Sequence, residues 1–485
     1  TLGIRGTIYV AVAANGLVFL IAMMLVRNTV VATTPESSRE ADAAESRSAP
    51  RKPHFILPLI LLSGALSFAY EVLWTRLLSQ LLGGSIYAFT TMLASFLLGI
   101  ALGSAGASRL ATSPARALRL FAWAQVGIAL LTGAAFGAID HARTLIQLLE
   151  STSALFVDVS LAMMVLLPAA ICIGATFPFA VRVLARDAED AGPASARVYS
   201  WNTVGAIAGS IGAAFFLLPE LGFRGTIALG ITLNLAIGAA ALYFDGQKKR
   251  LLAIPAGAAV LLGLLLPGEP WQVLRSAPLN RGAPPKPAPI EFYQVGRSAT
   301  VLLTQDSPTQ WKISTNGLPE SMISAPGQPP TKMMTAVMLG TIGPLLRPEA
   351  RSMLLVGLGG GVTLEQIPQH IERIDVIEIE QEVVAANRWL SPQRAVDPLA
   401  DPRVHLHISD ARSALFLSNQ KFDVIAAQAS HPWTGGASHL YTGEFFELVS
   451  DHLSDSGVFV QWVGRVFIDV DLMKTVVATL LDHFM

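Results

Sequence analysis

The chain has 485 residues, 52% of them hydrophobic and 14% charged, with a mean hydropathy of +0.50; these values exclude an ordinary soluble protein and point to a membrane class. A formal charge of −1, with no basic tract interleaved with aromatics, argues against a nucleic-acid partner. The single cysteine, Cys172, excludes a disulfide framework and a cysteine-based metal site.

In chain order, apolar runs lie near residues 7–26, 54–78, 86–108, 120–139, 155–181, 201–218, 226–244 and 251–267. Most reach the ~20 residues that a helix needs to cross about 30 Å of hydrocarbon, so residues 1–267 read as a multi-pass α-helical membrane domain of about seven or eight helices. The last run, Leu251 to Pro267, is short and carries Pro255 and Gly257; a re-entrant or interfacial segment is the alternative there. Glycines recur at helical spacing, as in Gly99, Gly103 and Gly106 or Gly205, Gly209 and Gly212, where small residues let helices pack closely in lipid. Glu71 and Arg76 stand at the end of the second run, either as a functional intramembrane site or as an interfacial pair that fixes packing.

The loops alternate in charge. Arg27, Arg39, Arg47, Arg51 and Lys52 flank or fill a polar loop at 28–53. Arg109, Arg116 and Arg119 follow in one later loop, Arg182, Arg186 and Arg197 in another, and Lys248, Lys249 and Arg250 in a third. The intervening loops hold little beyond Arg76, Arg143 and Arg224. The positive-inside rule puts the basic loops on the cytoplasmic side of the membrane. Everything after Pro267 then emerges on the extracytoplasmic side if all eight runs cross, and in the cytoplasm if 251–267 does not.

Residues 268–289, with Pro270, Pro278, Pro284, Pro285, Pro287 and Pro289, read as an extended linker. Over 290–330 a small β-hairpin unit is expected, with strands at Ile290–Leu303 and Gln310–Ile313 and turns at Asp306-Ser307-Pro308 and Asn316-Gly317. From 331 to 485 helix and strand alternate, which implies an α/β Rossmann-like, doubly wound sheet with ligands at the carboxyl ends of its strands. Its elements are a helix Thr331–Leu346, strands Ser352–Val356 and one ending at Glu378, a helix Gln381–Leu390, strands Val404–Ile408 and Phe422–Ala427, a helix Gly443–Leu453 and a strand Gly457–Val463. The chain begins at Thr1 and stops at Met485 inside a predicted helix, so further sequence is expected at both ends.

The chemistry is carried by a series of strand ends. Gly357, Gly359 and Gly361 follow the first strand, Glu378 closes the second and Asp410 follows the third. Glycines let backbone approach a ligand, an acid on the second strand can take two ribose hydroxyls, and an acid after the third can accept from an adenine amino group. No P-loop Lys and Ser/Thr accompany the turn, which speaks against ATP and suits S-adenosylmethionine or a close relative. His405 and His407 alternate on a strand without nearby Cys or paired acids, so no metal is expected.

At these residues the chain resembles the spermidine synthase family. The resemblance runs through Asp401-Pro402-Arg403-Val404 to Asp410-Ala411-Arg412, then Phe422-Asp423-Val424-Ile425, His431-Pro432 and Ser438-His439-Leu440-Tyr441-Thr442 with Glu444-Phe445-Phe446. Ser63-Gly64-Ala65, Tyr70-Glu71-Val72 and Trp74-Thr75-Arg76 resemble the bacterial subgroup that fuses such a domain to membrane helices. The family implies aminopropyl transfer from decarboxylated S-adenosylmethionine to a diamine, and often pairing as a homodimer. It also implies an aspartate after the glycines, where this chain has Gly360, and two aspartates flanking the loop after the fourth strand, where it has Gln428 and His431. The expected acceptor side is therefore Gln428, His431 and Tyr441, with Gln461 nearby; Gln428 can only hydrogen-bond, whereas His431 could act as a base. Three readings follow: a membrane-anchored transferase of an aminopropyl or methyl group to an amine, an inactive structural subunit of a membrane complex, and a transporter of polyamine-like solutes with Glu71 on its path.

Overall fold

The structure is a computed structural model that describes residues 9–10, 12–14, 16–17, 19–20, 23–24, 54–149, 152–246, 249–278, 287–328, 334–394, 396–464 and 469–484. Thr1–Pro53 form a compact unit separate from His54–Met485, and the described positions within it are helical. The polar loop at 28–53, positions 279–286 of the linker and the start of the helix expected from Thr331 lie outside the described residues.

Among the described residues, five helical stretches are long and apolar enough to cross a membrane. The first four contain α1 (Ile56–Leu82), α2 (Ile86–Leu110), α3 (Pro114–Ala138) and α4 (Ala154–Leu184). Local sequence sets their starts: the hydroxyls of Ser85, Ser113 and Ser153 each accept a first-turn backbone N–H, and Pro114 opens α3. The fifth stretch, Ala191–Phe244, has 54 residues, about 80 Å if straight. It comprises α5 (Ala191–Gly212) and α6 (Leu218–Phe244), joined by a π-helical turn at Ala213–Leu217, and it kinks inside α6 at Gly222 (φ 66°, ψ −172°), a backbone conformation open essentially to glycine alone. The short run that left the topology open is a helix, α7 (Lys249–Leu265), with Leu262 against Gly133 of α3.

Small residues bring these helices together. A Cβ at Gly99, Gly103 or Gly174 would collide with Ala170, Ile171 or Ile100 across α2 and α4, and the Ser104 hydroxyl donates to the Gly174 carbonyl at 2.8 Å. Gly205 and Gly209 likewise press on the carbonyls of Leu61 and Ala65 in α1. Gly106 and Gly212, the third member of each spaced set, have nothing within 4 Å of the Cβ position among the described residues.

Where the sequence suggested an extended spacer, Trp271–Leu274 is a helical turn whose Val273 and Leu274 are buried in the bundle core. Asp140 accepts the N–H groups of Gln272 and Val273, and Arg224 donates to the Pro267 carbonyl. Apolar side chains thus outweigh the proline content, and the segment is pinned where α3 ends and α6 begins.

In place of two strands, residues 290–324 form a four-stranded antiparallel meander of β1 (Ile290–Val295), β2 (Thr300–Ser307), β3 (Gln310–Thr315) and β4 (Leu318–Ser324). The single strand expected at 290–303 is split by a turn at Gly296, and Asn316-Gly317, both at positive φ, turn β3 into β4. A parallel sheet follows, ordered β7-β6-β5-β8-β9, from β5 (Ser352–Val356), β6 (Arg373–Glu378), β7 (Val404–Ile408), β8 (Phe422–Ala427) and β9 (Leu453–Gln461). Along it run α8 (Met334–Leu346), α9 (Val362–Glu365), α10 (Gln381–Leu390), α11 (Ala411–Phe416), α12 (Gly443–Asp451) and α13 (Val470–Phe484). Side chains alternate between two cores: Met353, Leu355 and Val376 face one side with Val301 and Ile313 of the meander, and Leu354, Val356 and Ile377 face the other with Phe445 and Phe446. The meander and the parallel sheet therefore share one core.

Candidate functional site

The strand order reverses beside β5, with β6 on one side and β8 on the other, and ligands of such sheets bind in the crevice at that switch. A cavity of about 640 Å³ lies there, walled by the glycine turn, the ends of β6 and β7, the loop after β8 and the Asn316-Gly317 end of the meander. That volume falls within the range of small-molecule sites. Ser79 and Gly84 of the helical bundle also line it.

After β5 the backbone of Gly357, Gly359 and Gly361 takes φ of 91°, 54° and 72°, and Gly361 opens α9 in a left-handed conformation. Glu378 is buried at the end of β6 and braces this turn: its carboxylate accepts the N–H groups of Leu358 and Glu380, both within 2.9 Å. Burial pushes its pKa up, against the pull of those amides. Asp410, after β7, caps α11 by accepting the Ser413 N–H at 2.9 Å. Gly357, Gly359, Glu378 and Asp410 all line the cavity, whereas Gly361 supports the turn from behind.

The acceptor-side residues separate. Gln428 lines the cavity, but its amide is spent on the turn: its oxygen accepts from the Thr363 hydroxyl at 2.6 Å and its nitrogen donates to the Gly357 carbonyl at 2.7 Å. His431 is 7% exposed, lies outside the cavity lining and packs between Trp433 and Trp462. Among the described residues its Nδ1 has no hydrogen-bond partner, and burial depresses its pKa. Tyr441 donates its hydroxyl to the Ser430 carbonyl at 2.8 Å, behind the same loop, and burial raises its pKa. Gln461 turns its amide to the Trp462 carbonyl. The loop sequence draws attention to these side chains, yet its fold turns two of the three away from the cavity.

Three residues that sequence reasoning passed over complete the site. Arg394 is buried and donates to Glu365, Asn387 and the Gly360 carbonyl, stapling the glycine turn to α10. Glu380 accepts the N–H groups of Ser298 and Ala299 and the Ser298 hydroxyl, each within 2.8 Å, so the meander is tied to β6. Glu320 lines the cavity and accepts hydroxyl hydrogens from Thr315 and Ser430; burial, helped by the nearby Glu378 charge, pushes its pKa up to about 7. The signal for Glu380 was present as a second acid two residues after Glu378. For Glu320 there was none, because β4 carries a register shift there: Ser314 pairs with Pro319 and Ile313 with Ser321, and the intervening Glu320 is the bulged residue.

The bundle holds the site from outside. Arg76 of α1 donates to the carbonyls of Gly296 and Arg297, Gln294 donates to the Pro219 carbonyl at 2.9 Å, and the Gly435 N–H donates to the Gly84 carbonyl at 2.7 Å. Arg76 thus turns to the meander, and among the described residues Glu71 makes no ion pair. Among the described residues no group of three or more His, Cys, Asp or Glu side chains could hold a metal; His407 instead meets Asp375 at 2.9 Å.

A spermine/spermidine synthase domain model matches residues 333–485. Polyamine aminopropyltransferase 1 of Streptomyces coelicolor is 23% identical over 428 residues, covering 86% of this chain and 77% of that protein. The polyamine aminopropyltransferase of Yersinia pestis is 33% identical over 142 residues, 29% of this chain and 46% of that protein, so the chain spans about half the length of that relative. Among solved structures, spermidine synthase from Thermotoga maritima aligns with 21% identity and a TM-score of 0.35 over 40% of this chain and 64% of that one.

Proposed function

Residues 333–485 belong to the spermine/spermidine synthase domain family, and on that premise we propose a membrane-anchored transferase that moves an aminopropyl group from decarboxylated S-adenosylmethionine to an amine. One observation carries the reading: the glycine turn, Glu378 and Asp410 converge on one cavity at the switch point of the sheet. Glu378 and Asp410 suit a ribose and an adenine, and the positive-φ glycines leave the backbone open to the rest of a nucleoside. In the transfer, a neutral amine nitrogen attacks the propyl carbon next to the sulfonium. The new C–N bond forms as the C–S bond breaks, the sulfur keeps the electron pair as a thioether, and the amine proton passes to solvent. Alignment of nucleophile and carbon supplies most of the rate.

The bundle reads as a bacterial inner-membrane anchor with the site on the extracytoplasmic side. Arg76, Asp140, Pro219 and Arg224 meet the segment after α7 or the meander at one end of the helices, opposite the loops with Arg109, Arg116, Arg182 and Arg186.

Calorimetric binding of decarboxylated S-adenosylmethionine, S-adenosylmethionine and methylthioadenosine to the detergent-solubilised chain tests the proposal. Micromolar affinity, weakened at least about tenfold by Glu378→Gln and by Asp410→Ala, is the expected result. Absence of binding by the intact chain would sink it. A second reading, a nucleoside-binding assembly subunit without turnover, is favoured by the engaged amide of Gln428 and the withdrawn ring of His431. Binding without turnover of any amine in a broad panel would select it.

A further inference from the structure

The cavity holds a carboxylate that its protein neighbours leave uncompensated. Glu378 and Glu380 are held by backbone amides and Asp410 caps α11. Glu320 receives hydroxyl hydrogens from Thr315 and Ser430 and, among the described residues, makes no ion pair. Glu320 is half-buried on the cavity wall, and a carboxylate partly withdrawn from water without a cation is costly unless it takes a proton or a ligand brings the positive charge.

Two further observations concern how Glu320 is placed. Its position on a β-bulge breaks the strand alternation, and bulges beside sites re-aim a side chain. The neighbouring Ser321 lies so close to the glycine turn that a Cβ at Gly360 would stand 2.5 Å from the Ser321 Cβ and 2.9 Å from its hydroxyl. The strand that leaves no room for a side chain at Gly360 therefore delivers a carboxylate one residue away, into the cavity beside Glu378.

We propose that Glu320 is the specificity-determining carboxylate of this cavity: it receives the ammonium at the end of a nucleoside ligand's tail and disfavours a tail that also carries a carboxylate. This rests on the nucleoside reading above. Both sulfonium ligands offer the ammonium for a charge-assisted hydrogen bond, and the preference arises because the undecarboxylated one also brings a carboxylate against the charges of Glu320 and Glu378.

The test is binding of three nucleosides to the full chain in detergent, with and without Glu320→Gln. Gln keeps the size of the side chain and an oxygen for the Thr315 hydroxyl. Wild type is expected to bind decarboxylated S-adenosylmethionine at least about tenfold more tightly than S-adenosylmethionine, and the variant to lose that preference. Methylthioadenosine, which lacks the charged tail, should bind both proteins alike and so reports an intact site. Equal weakening of both sulfonium ligands would place Glu320 at the sulfonium and overturn the proposal, as would an unchanged preference. If wild type binds none of the three, the nucleoside reading fails and the role of Glu320 falls with it.

Discussion

A Cβ at Gly360 would meet Ser321 and also the Ile323 side chain at 3.1 Å, so the tip of the glycine turn is filled by β4. The aspartate that the family resemblance implies at this position has no space here, which gives the departure a steric cause. Overpacking of this kind costs about 1–3 kcal/mol. Gly360→Ala should lower the apparent melting temperature of the purified chain, and Ser321→Gly should recover much of the loss. The two substitutions should thus be coupled by about 1 kcal/mol or more; purely additive effects would show that β4 does not press on the turn. Glu378 and Asp410 were legible because strand ends announce themselves by position. Glu320 was not, since a bulge is fixed by pairing with β3, which the local sequence does not display.

Among the elements, the boundaries of α10, β5, β7 and β8 coincide with the sequence reading, because the buried runs of β5 and β8, the apolar-polar alternation along the edge strand β7 and the capped start of α10 are strong local patterns. The meander was less legible, since the single strand expected there runs over the turn at Gly296-Arg297-Ser298, which divides it into two. In the bundle, glycine spacing pointed to close packing but could not say which glycines make it. Gly209 abuts the Ala65 carbonyl while Gly212 faces open space. Gly209→Val should therefore separate α1 from α5 and lower thermal stability in detergent, and Gly212→Val should leave it within about 0.5 kcal/mol of wild type. Equal losses at both positions would refute this packing.

Across the whole molecule, the bundle forms part of the site. Ser79 and Gly84 reach the cavity wall, Arg76 clasps the turn at Gly296, and α7 returns the chain to the end of the bundle where the meander sits. On the proposed anchoring, the bundle fixes where the site lies relative to the bilayer. In a Cys172→Ala background, Ser456→Cys on the parallel-sheet domain and Glu189→Cys in a basic-side loop report the two faces. A membrane-impermeant thiol reagent added to spheroplasts should label position 456 and spare position 189; the reverse pattern would put the site in the cytoplasm.

The sequence by itself determined the apolar helices, the alternation of strand and helix after residue 334 and the acids at the ends of β6 and β7, because hydropathy and periodicity are local properties read within one element. Tertiary structure alone decided that Glu320 enters the cavity, that His431 and Tyr441 stand behind its wall, that Gly360 has no room for a side chain and that the bundle closes part of the site. Each of these depends on segments far apart in the chain coming within a few ångströms, and no local pattern records which face a bulge or a loop will present.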